Sequence, residues 1–265
     1  MNIKIIIPSL LAALLVGCDH IADDERLIEV KGGSTPVDTA VVLKNVLLED
    51  FTGQRCINCP LGAEVIEQLH AAQPERFIAV GVYSGPFGKN NSGALLPLTT
   101  EDGCTYYDYW KVESQPGGMV NRDGRLLYNV NDWTAGVMGQ LNQPARVKME
   151  LKATLRDQAV DILVQETGLS GTVTGKLQVW VVEDGIVAIQ LMPDGSSNRS
   201  YVHNHVLRTA VNGTWGTDLT IAAGEQQEHT FSQPISDEWN PANLSVVAFV
   251  YGDSGVEQVV KAKVN

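Results

Sequence analysis

The residues best suited to chemistry are Cys56 and Cys59, which enclose Ile57 and Asn58 and are followed by Pro60. Two thiols at this spacing can close a disulfide or supply half of a tetrahedral zinc shell. No second Cys-x-x-Cys and no His-x-x-x-His completes a zinc set, and Cys104 and His70 are the nearby extras. Position favours redox chemistry. An apolar strand precedes the pair and an amphipathic helix follows it, so Cys56 falls where a helix N-terminus offers unpaired amides and a favourable dipole to a thiolate, and Arg55 adds positive charge beside it. Cys56 would then attack a disulfide, and Cys59, one turn deeper, would resolve the mixed disulfide.

The elements that position this pair can be read from hydrophobic pattern. Val41 to Thr52 is rich in Val and Leu, as in a strand covered on both faces. Leu61, Val65 and Leu69 recur every four residues, which predicts a helix ending before Pro74, and Phe77 to Tyr83 is a second apolar strand. Strand, Cys-x-x-Cys, helix and strand form a parallel βαβ crossover. A loop containing Gly85, Pro86, Gly88, Asn90, Asn91 and Gly93 follows, and Trp133, Val137, Met138 and Leu141 fit a closing helix that stops before Pro144. Beyond Pro144 the period changes to two. Val147, Met149, Leu151, Ala153 and Leu155 alternate with polar residues, and further strands are expected at 160–165, 176–182, 186–191, 201–210, 228–231, 244–251 and 256–263. The expected fold class is therefore α/β plus all-β, with domains at 41–143 and 144–265, the second an immunoglobulin-like β-sandwich without cysteine. A chain of 265 residues is long enough for two cores.

The N-terminus reads as an address. Lys4 precedes a twelve-residue apolar run, Ile5 to Val16, which is too short for a membrane span of about 20 residues. The run ends Leu15-Val16-Gly17-Cys18, which resembles the lipobox of bacterial lipoproteins, so 1–17 is expected to be a signal peptide and Cys18 the lipidated first residue. Residues 18–40 carry six acidic and two basic residues with Gly32-Gly33-Ser34 and read as a solvated acidic tether. Formal charge is −12 for the whole chain, or −13 once Lys4 is removed. That sign disfavours nucleic acid and anionic lipid headgroups, so lipid is the expected membrane anchor.

Around the cysteines the sequence resembles the thioredoxin superfamily. Asp50-Phe51 ends the strand with Phe51 five residues before Cys56, the family's spacing, and Ser114-Gln115-Pro116 followed by Gly117 to Arg122 and Asp123-Gly124-Arg125 matches its cis-proline segment. The resemblance implies a thioredoxin-like domain over 41–143, a Cys56–Cys59 disulfide, a buried acid at Asp50 that relays a proton from the resolving thiol, and a cis peptide bond before Pro116. It departs from the family at Arg55, where a tryptophan is usual, at Ile57-Asn58, where Gly-Pro is usual, and in about fifteen inserted residues within 84–105. Cys104 is left as an odd thiol, read as half-buried on a short helix before Val112, with a third redox thiol as the alternative.

The second half offers thinner chemistry. His203 and His205 lie two apart on one expected strand face, a metal-compatible spacing without a nearby third ligand, so a structural role is expected. Asn198-Arg199-Ser200 and Asn212-Gly213-Thr214 match the glycosylation pattern, which bacterial lipoproteins rarely use; Trp215 and Trp239 are expected to pack at the sandwich ends. The lipobox, Leu48 to Gly53, Pro116-Gly117-Gly118 with Asn121-Arg122, and His203 to Arg208 together resemble the outer-membrane-protein-28-related lipoproteins of Gram-negative bacteria. That resemblance implies an outer membrane location without supplying a reaction. Three readings stand: a thiol-disulfide oxidoreductase acting on a protein disulfide substrate, an adhesion or interaction protein that binds an envelope partner, and a zinc module using Cys56, Cys59 and Cys104. The first two need neither metal nor cofactor.

Overall fold

The computed structural model describes residues 41–89 and 96–265. The signal peptide, Cys18 and the tether lie outside the described residues, as does 90–95 of the insertion.

The first half supplies β1 (Val46–Thr52), α1 (Cys59–Ala72), β2 (Phe77–Tyr83), α2 (Gly85–Gly88), α3 (Glu101–Tyr109), β3 (Gly117–Val120), β4 (Leu126–Leu127) and α4 (Asn131–Leu141). Every residue of β1 and β2 is buried, which accounts for the apolar run of β2 and leaves Glu49 and Asp50 of β1 as buried acids. They pair in parallel, Val46 opposite Phe77 through Thr52 opposite Tyr83, while β3 runs antiparallel on the other side of β1. Alternation along β1 divides its side chains: Val46 and Leu48 join Ile66 and Leu69 of α1 and Trp133 and Val137 of α4 in one core, and Leu47 and Phe51 enter another on the opposite face.

The second half is β-rich: β5 (Val147–Arg156), β6 (Ala159–Gly168), β7 (Thr172–Glu183), β8 (Ile186–Leu191), β9 (Ser197–His203), β10 (Val206–Ala210), β11 (Thr217–Ala222), β12 (Gln226–Pro234), β13 (Leu244–Gly252) and β14 (Gly255–Lys263). β5, β6 and β12 form a three-stranded sheet. It faces β7, β11 and β13 across a core of Val147, Ile162, Val164, Leu177, Val179 and Val246.

The expected break at Pro144 requires correction. Val41–Asn265 is one compact unit, and one nine-stranded sheet runs β14-β13-β7-β10-β2-β1-β3-β4 with β11 beside β7. The join is the parallel contact of Val206 with Gly81, whose N–H donates to the His205 carbonyl at 2.8 Å. Asn45 Nδ2 adds a bond to the Val259 carbonyl at 2.9 Å. The physical reason is that β7 and β13 are apolar on both faces. Val179 and Val181 fill the core against the small sheet, while Trp180 and Val182 share a second core with Phe51, Val80 and Phe249. A sandwich strand with a solvent face could not bury Trp180, so this surface packs against the first half instead.

One more expectation is revised. Residues 201–210 form no single strand: β9 ends at His203, His205 takes a left-handed φ of 58°, and β10 begins at Val206. β8 and β9 thereby form a separate two-stranded hairpin. The break separates the two histidines chemically, since His203 Nδ1 meets the Tyr83 hydroxyl at 2.7 Å and His205 Nδ1 meets Asp184 Oδ1 at 3.0 Å.

Candidate functional site: the Cys56–Cys59 turn and its cleft

Cys56 and Cys59 are joined as a disulfide with their Cα atoms 5.4 Å apart. The chain leaves β1 at Thr52, turns through Gly53 and Gln54, and enters α1 at Cys59, so Cys56 lies in the turn before the helix and Cys59 is its first residue. Cys56 N–H donates to the Gly53 carbonyl at 3.1 Å and Cys59 N–H to the Cys56 carbonyl at 3.3 Å. Pro60 occupies the first turn of α1, where its missing N–H costs nothing, and the Asn58 side chain makes no cap. Arg55 is exposed, while both cysteines are buried, Cys56 to 2% and Cys59 to 4% exposure.

Two later segments cover this turn. On one side is α2, where the Phe87 carbonyl accepts from Arg55 N–H at 3.0 Å; a Cβ on Gly53 would overlap the Phe87 backbone, which explains the glycine there. On the other side is the β8–β9 hairpin. Buried Gln190 donates from Nε2 to the Cys56 carbonyl at 2.9 Å, Gln54 Nε2 donates to the Ile189 carbonyl at 3.2 Å, and Leu191 N–H donates to the Gln54 carbonyl at 2.9 Å. The peptide bond between Gln115 and Pro116 is cis. Gln115 Nε2 ties that segment to the carbonyls of Thr52 at 2.7 Å and Ser84 at 3.0 Å, and a Cβ on Gly62 of α1 would lie 3.5 Å from Pro116 Cβ.

Asp50 lies on the α1 side of β1, between Gly81 of β2 and Gly118 of β3 in register. Neither neighbour has a side chain to satisfy it. Its Oδ1 is buried without a hydrogen-bond partner among the described residues, and burial pushes its carboxyl up to about 8, so it is mostly protonated at neutral pH. Asp50 and Cys59 border a cleft of about 610 Å³ between α1 and β9, whose walls include Tyr83, Tyr201, His203 and His205. Burial lowers His203 to about 4, so its imidazole is neutral, and burial also holds the Tyr83 hydroxyl well above its ordinary value. The Tyr83–His203 contact is therefore a neutral hydrogen bond in which the hydroxyl keeps its proton.

The sequence-derived set is thus partly assembled in one place. Asp50 lines the same cleft as Cys59 of the disulfide, Pro116 packs towards Gly62 of α1, Arg55 contributes its backbone to the α2 contact, and Cys104 is a half-buried thiol on α3. Burial raises the Cys104 thiol above its ordinary value, contrary to what an activated thiol needs. Sequence reasoning missed Gln190, Tyr83 and Tyr201, which come from distant segments. It also missed the buried ion pair of Glu49 and Arg122, with Nε to Oε2 at 3.1 Å and Tyr106, Trp180, Phe249 and Tyr251 rings about the guanidinium at 4.8–5.0 Å. Trp215 lies against the same group, and Trp239 packs under Arg208. Asn212 spends its side chain on the backbone of Leu177 and Val179, a structural use of that glycosylation-like triplet.

Fold and site define a mixed α/β protein in which a β-rich half is fused to a strand–Cys-x-x-Cys–helix unit and covers its disulfide. The chain belongs to the outer membrane protein Omp28 family, whose model matches residues 104–265. It is accordingly an outer membrane protein; among the described residues no helix is long and apolar enough to cross a membrane. The family match begins after the cysteine pair. HBP35 of Porphyromonas gingivalis is similar over 84% of this chain and 76% of its own, with 19% identity and a TM-score of 0.64. The protein AGR_C_4864 of Agrobacterium tumefaciens is similar over 85% of this chain and 97% of its own, with 15% identity and a TM-score of 0.52. Both likenesses concern the fold. A domain of the outer membrane lipoprotein Omp28 from P. gingivalis is 26% identical over 46% of this chain and 89% of its own, with a TM-score of 0.35. No curated protein matches the chain.

Proposed function

We propose that the protein is a lipid-anchored outer membrane thiol-disulfide oxidoreductase, with a thioredoxin-like first half, an immunoglobulin-like second half and lipid on Cys18. The observation that carries the redox reading is the Cys56–Cys59 disulfide at the start of α1 with the buried Asp50 lining the same cleft as Cys59. In the oxidised state a substrate thiolate attacks Cys56 Sγ and forms a mixed disulfide, and Cys59 leaves as a thiolate that takes the Asp50 proton. The substrate's second thiolate then attacks the mixed disulfide and departs oxidised, leaving both cysteines reduced. The reverse sequence reduces a protein disulfide, with Asp50 receiving the Cys59 proton.

A second reading has its own support. Gln190 and Phe87 bond directly to the turn and leave Cys56 2% exposed. In an interaction protein those contacts would make the disulfide a staple beneath a binding surface for an envelope partner. Exchange of the reduced protein with a model disulfide separates the two: Cys56→Ala should abolish it, and in Cys59→Ser the Cys56 thiolate should displace one substrate thiolate and accumulate as an unresolved mixed disulfide. A wild-type protein that exchanges no faster than an unstructured Cys-x-x-Cys peptide would reject the oxidoreductase.

A further inference from the structure

The cleft beside Asp50 has features that disulfide exchange does not use. Its volume of about 610 Å³ is of the size that holds small ligands. Its lining includes three carboxyl residues, Asp50, Glu64 and Glu67, and no lysine or arginine among the described residues. Glu64 and Glu67 are exposed on α1 at the rim, whereas Asp50 is buried on the sheet, its Oδ1 without a hydrogen-bond partner among the described residues. Tyr201 and Val202 of β9 provide a partly exposed aromatic and aliphatic wall opposite α1. The carboxylates act on that wall: after burial, Asp50, Glu64 and Glu67 are what raise the Tyr201 hydroxyl.

We propose that this cleft binds a small organic amine, its ammonium group donating to Asp50 and its apolar stem lying along Tyr201 between α1 and β9. An anion would meet three carboxyl groups and no cation. An uncharged ligand gains nothing from the acidic rim, whereas an ammonium donates to the Asp50 carboxyl and is drawn by that rim as well. An ion pair inside a cleft would be held more firmly than one on the surface, because solvent screens it less. The inference does not require the disulfide to turn over.

Binding is coupled to a proton. Asp50 is mostly protonated at neutral pH, and an ammonium beside it favours the carboxylate, so the amine must displace that proton. The other titratable groups lining the cleft are Tyr83 on β2, Tyr201 and His203 on β9, His205 after it, and Glu64 and Glu67 on α1, with Cys59 held in the disulfide; the hydroxyls and the lowered His203 hold their protonation between pH 6 and 8.

Phenethylamine and 3-phenylpropionate, which share a stem and differ in charge, test this by titration calorimetry of the oxidised protein in two buffers of different ionisation heat. The amine should bind with release of close to one proton at pH 7, its affinity rising about tenfold per unit from pH 6 towards 8, while the acid does not bind. Asp50→Asn should abolish the proton release and weaken the amine at least about tenfold. Glu64→Gln with Glu67→Gln, two exposed changes that leave packing intact, should weaken it several-fold and reduce its salt dependence, which keeps the test decisive if the Asp50 variant fails to fold. No amine binding at about 10 mM, equal binding of the acid, or pH-independent binding indifferent to these substitutions would overturn the proposal.

Discussion

Asp50→Asn should stabilise the folded protein at neutral pH by an amount that grows with pH and gives way to a net cost in acid. The folded state holds the carboxyl at about 8 against an ordinary 3.8 because β1 buries it and neither Gly81 nor Gly118 can reach it. A carboxyl raised in this way contributes its full stability below 3.8 and loses it progressively as the pH rises through about 8. At about 1.4 kcal/mol per unit over the three units from 3.8 to 7, ionisable Asp50 costs the native state about 4 kcal/mol at pH 7 relative to acid. Asparagine is nearly isosteric and never ionises, so it removes that slope, while its own unpaired amide adds a pH-independent cost of about 1–3 kcal/mol. The assay is urea denaturation of oxidised wild type and variant at several pH values between 4 and 8.5. The difference between the two curves isolates Asp50 from every other titration. It should rise by about 1.4 kcal/mol per pH unit and level off above 8. A difference that is flat with pH would refute the assignment of a neutral, desolvated carboxyl at this position.

Three further outcomes are expected. Arg122→Met leaves Glu49 buried and unpaired among the aromatic rings and should cost about 3–5 kcal/mol in denaturant unfolding, with Glu49→Gln recovering part of it; a cost below about 1 kcal/mol would show that the pair does not secure the join between halves. Gln190→Ala removes the donor to the Cys56 carbonyl and should loosen the hairpin, speeding reduction of the disulfide by dithiothreitol several-fold to about tenfold, whereas an unchanged rate would mean that the hairpin does not shield the bond. Cys18→Ser should move the protein from the membrane to the soluble fraction, and retention of the variant in membranes would remove the lipid anchor from the account.

Much of the first half was legible because its elements obey local rules. β2 matches its apolar run from Phe77 to Tyr83, and α1 ends at Ala72, ahead of Pro74. The cis bond at Pro116 and the burial of Asp50 were readable from the resemblance carried by Asp50-Phe51 and Ser114-Gln115-Pro116. The join of the halves was harder to see. Strict alternation expects one wet face, and β5 shows it, but Val179-Trp180-Val181-Val182 and Val246-Val247-Ala248-Phe249-Val250 are continuous apolar runs, the pattern of strands buried on both sides. That run was the available signal for a shared core. The lid over the disulfide had no comparable signal. Gln190 lies 134 residues from Cys56, its bond depends on the hairpin leaving the sheet, and that departure depends on the left-handed backbone at His205, which histidine spacing does not reveal.

The central claim, that Cys56 and Cys59 form a working redox pair, is tested most directly by alkylating the reduced protein at mildly acidic pH and reading each cysteine by mass spectrometry. Cys56, in the turn ahead of α1, should be modified well before Cys59, the first residue of the helix on the Asp50 side, and before Cys104, whose thiol is raised by burial. Slow modification of Cys56 and Cys59 at equal rates, no faster than Cys104, would contradict the account and leave the disulfide as a structural staple.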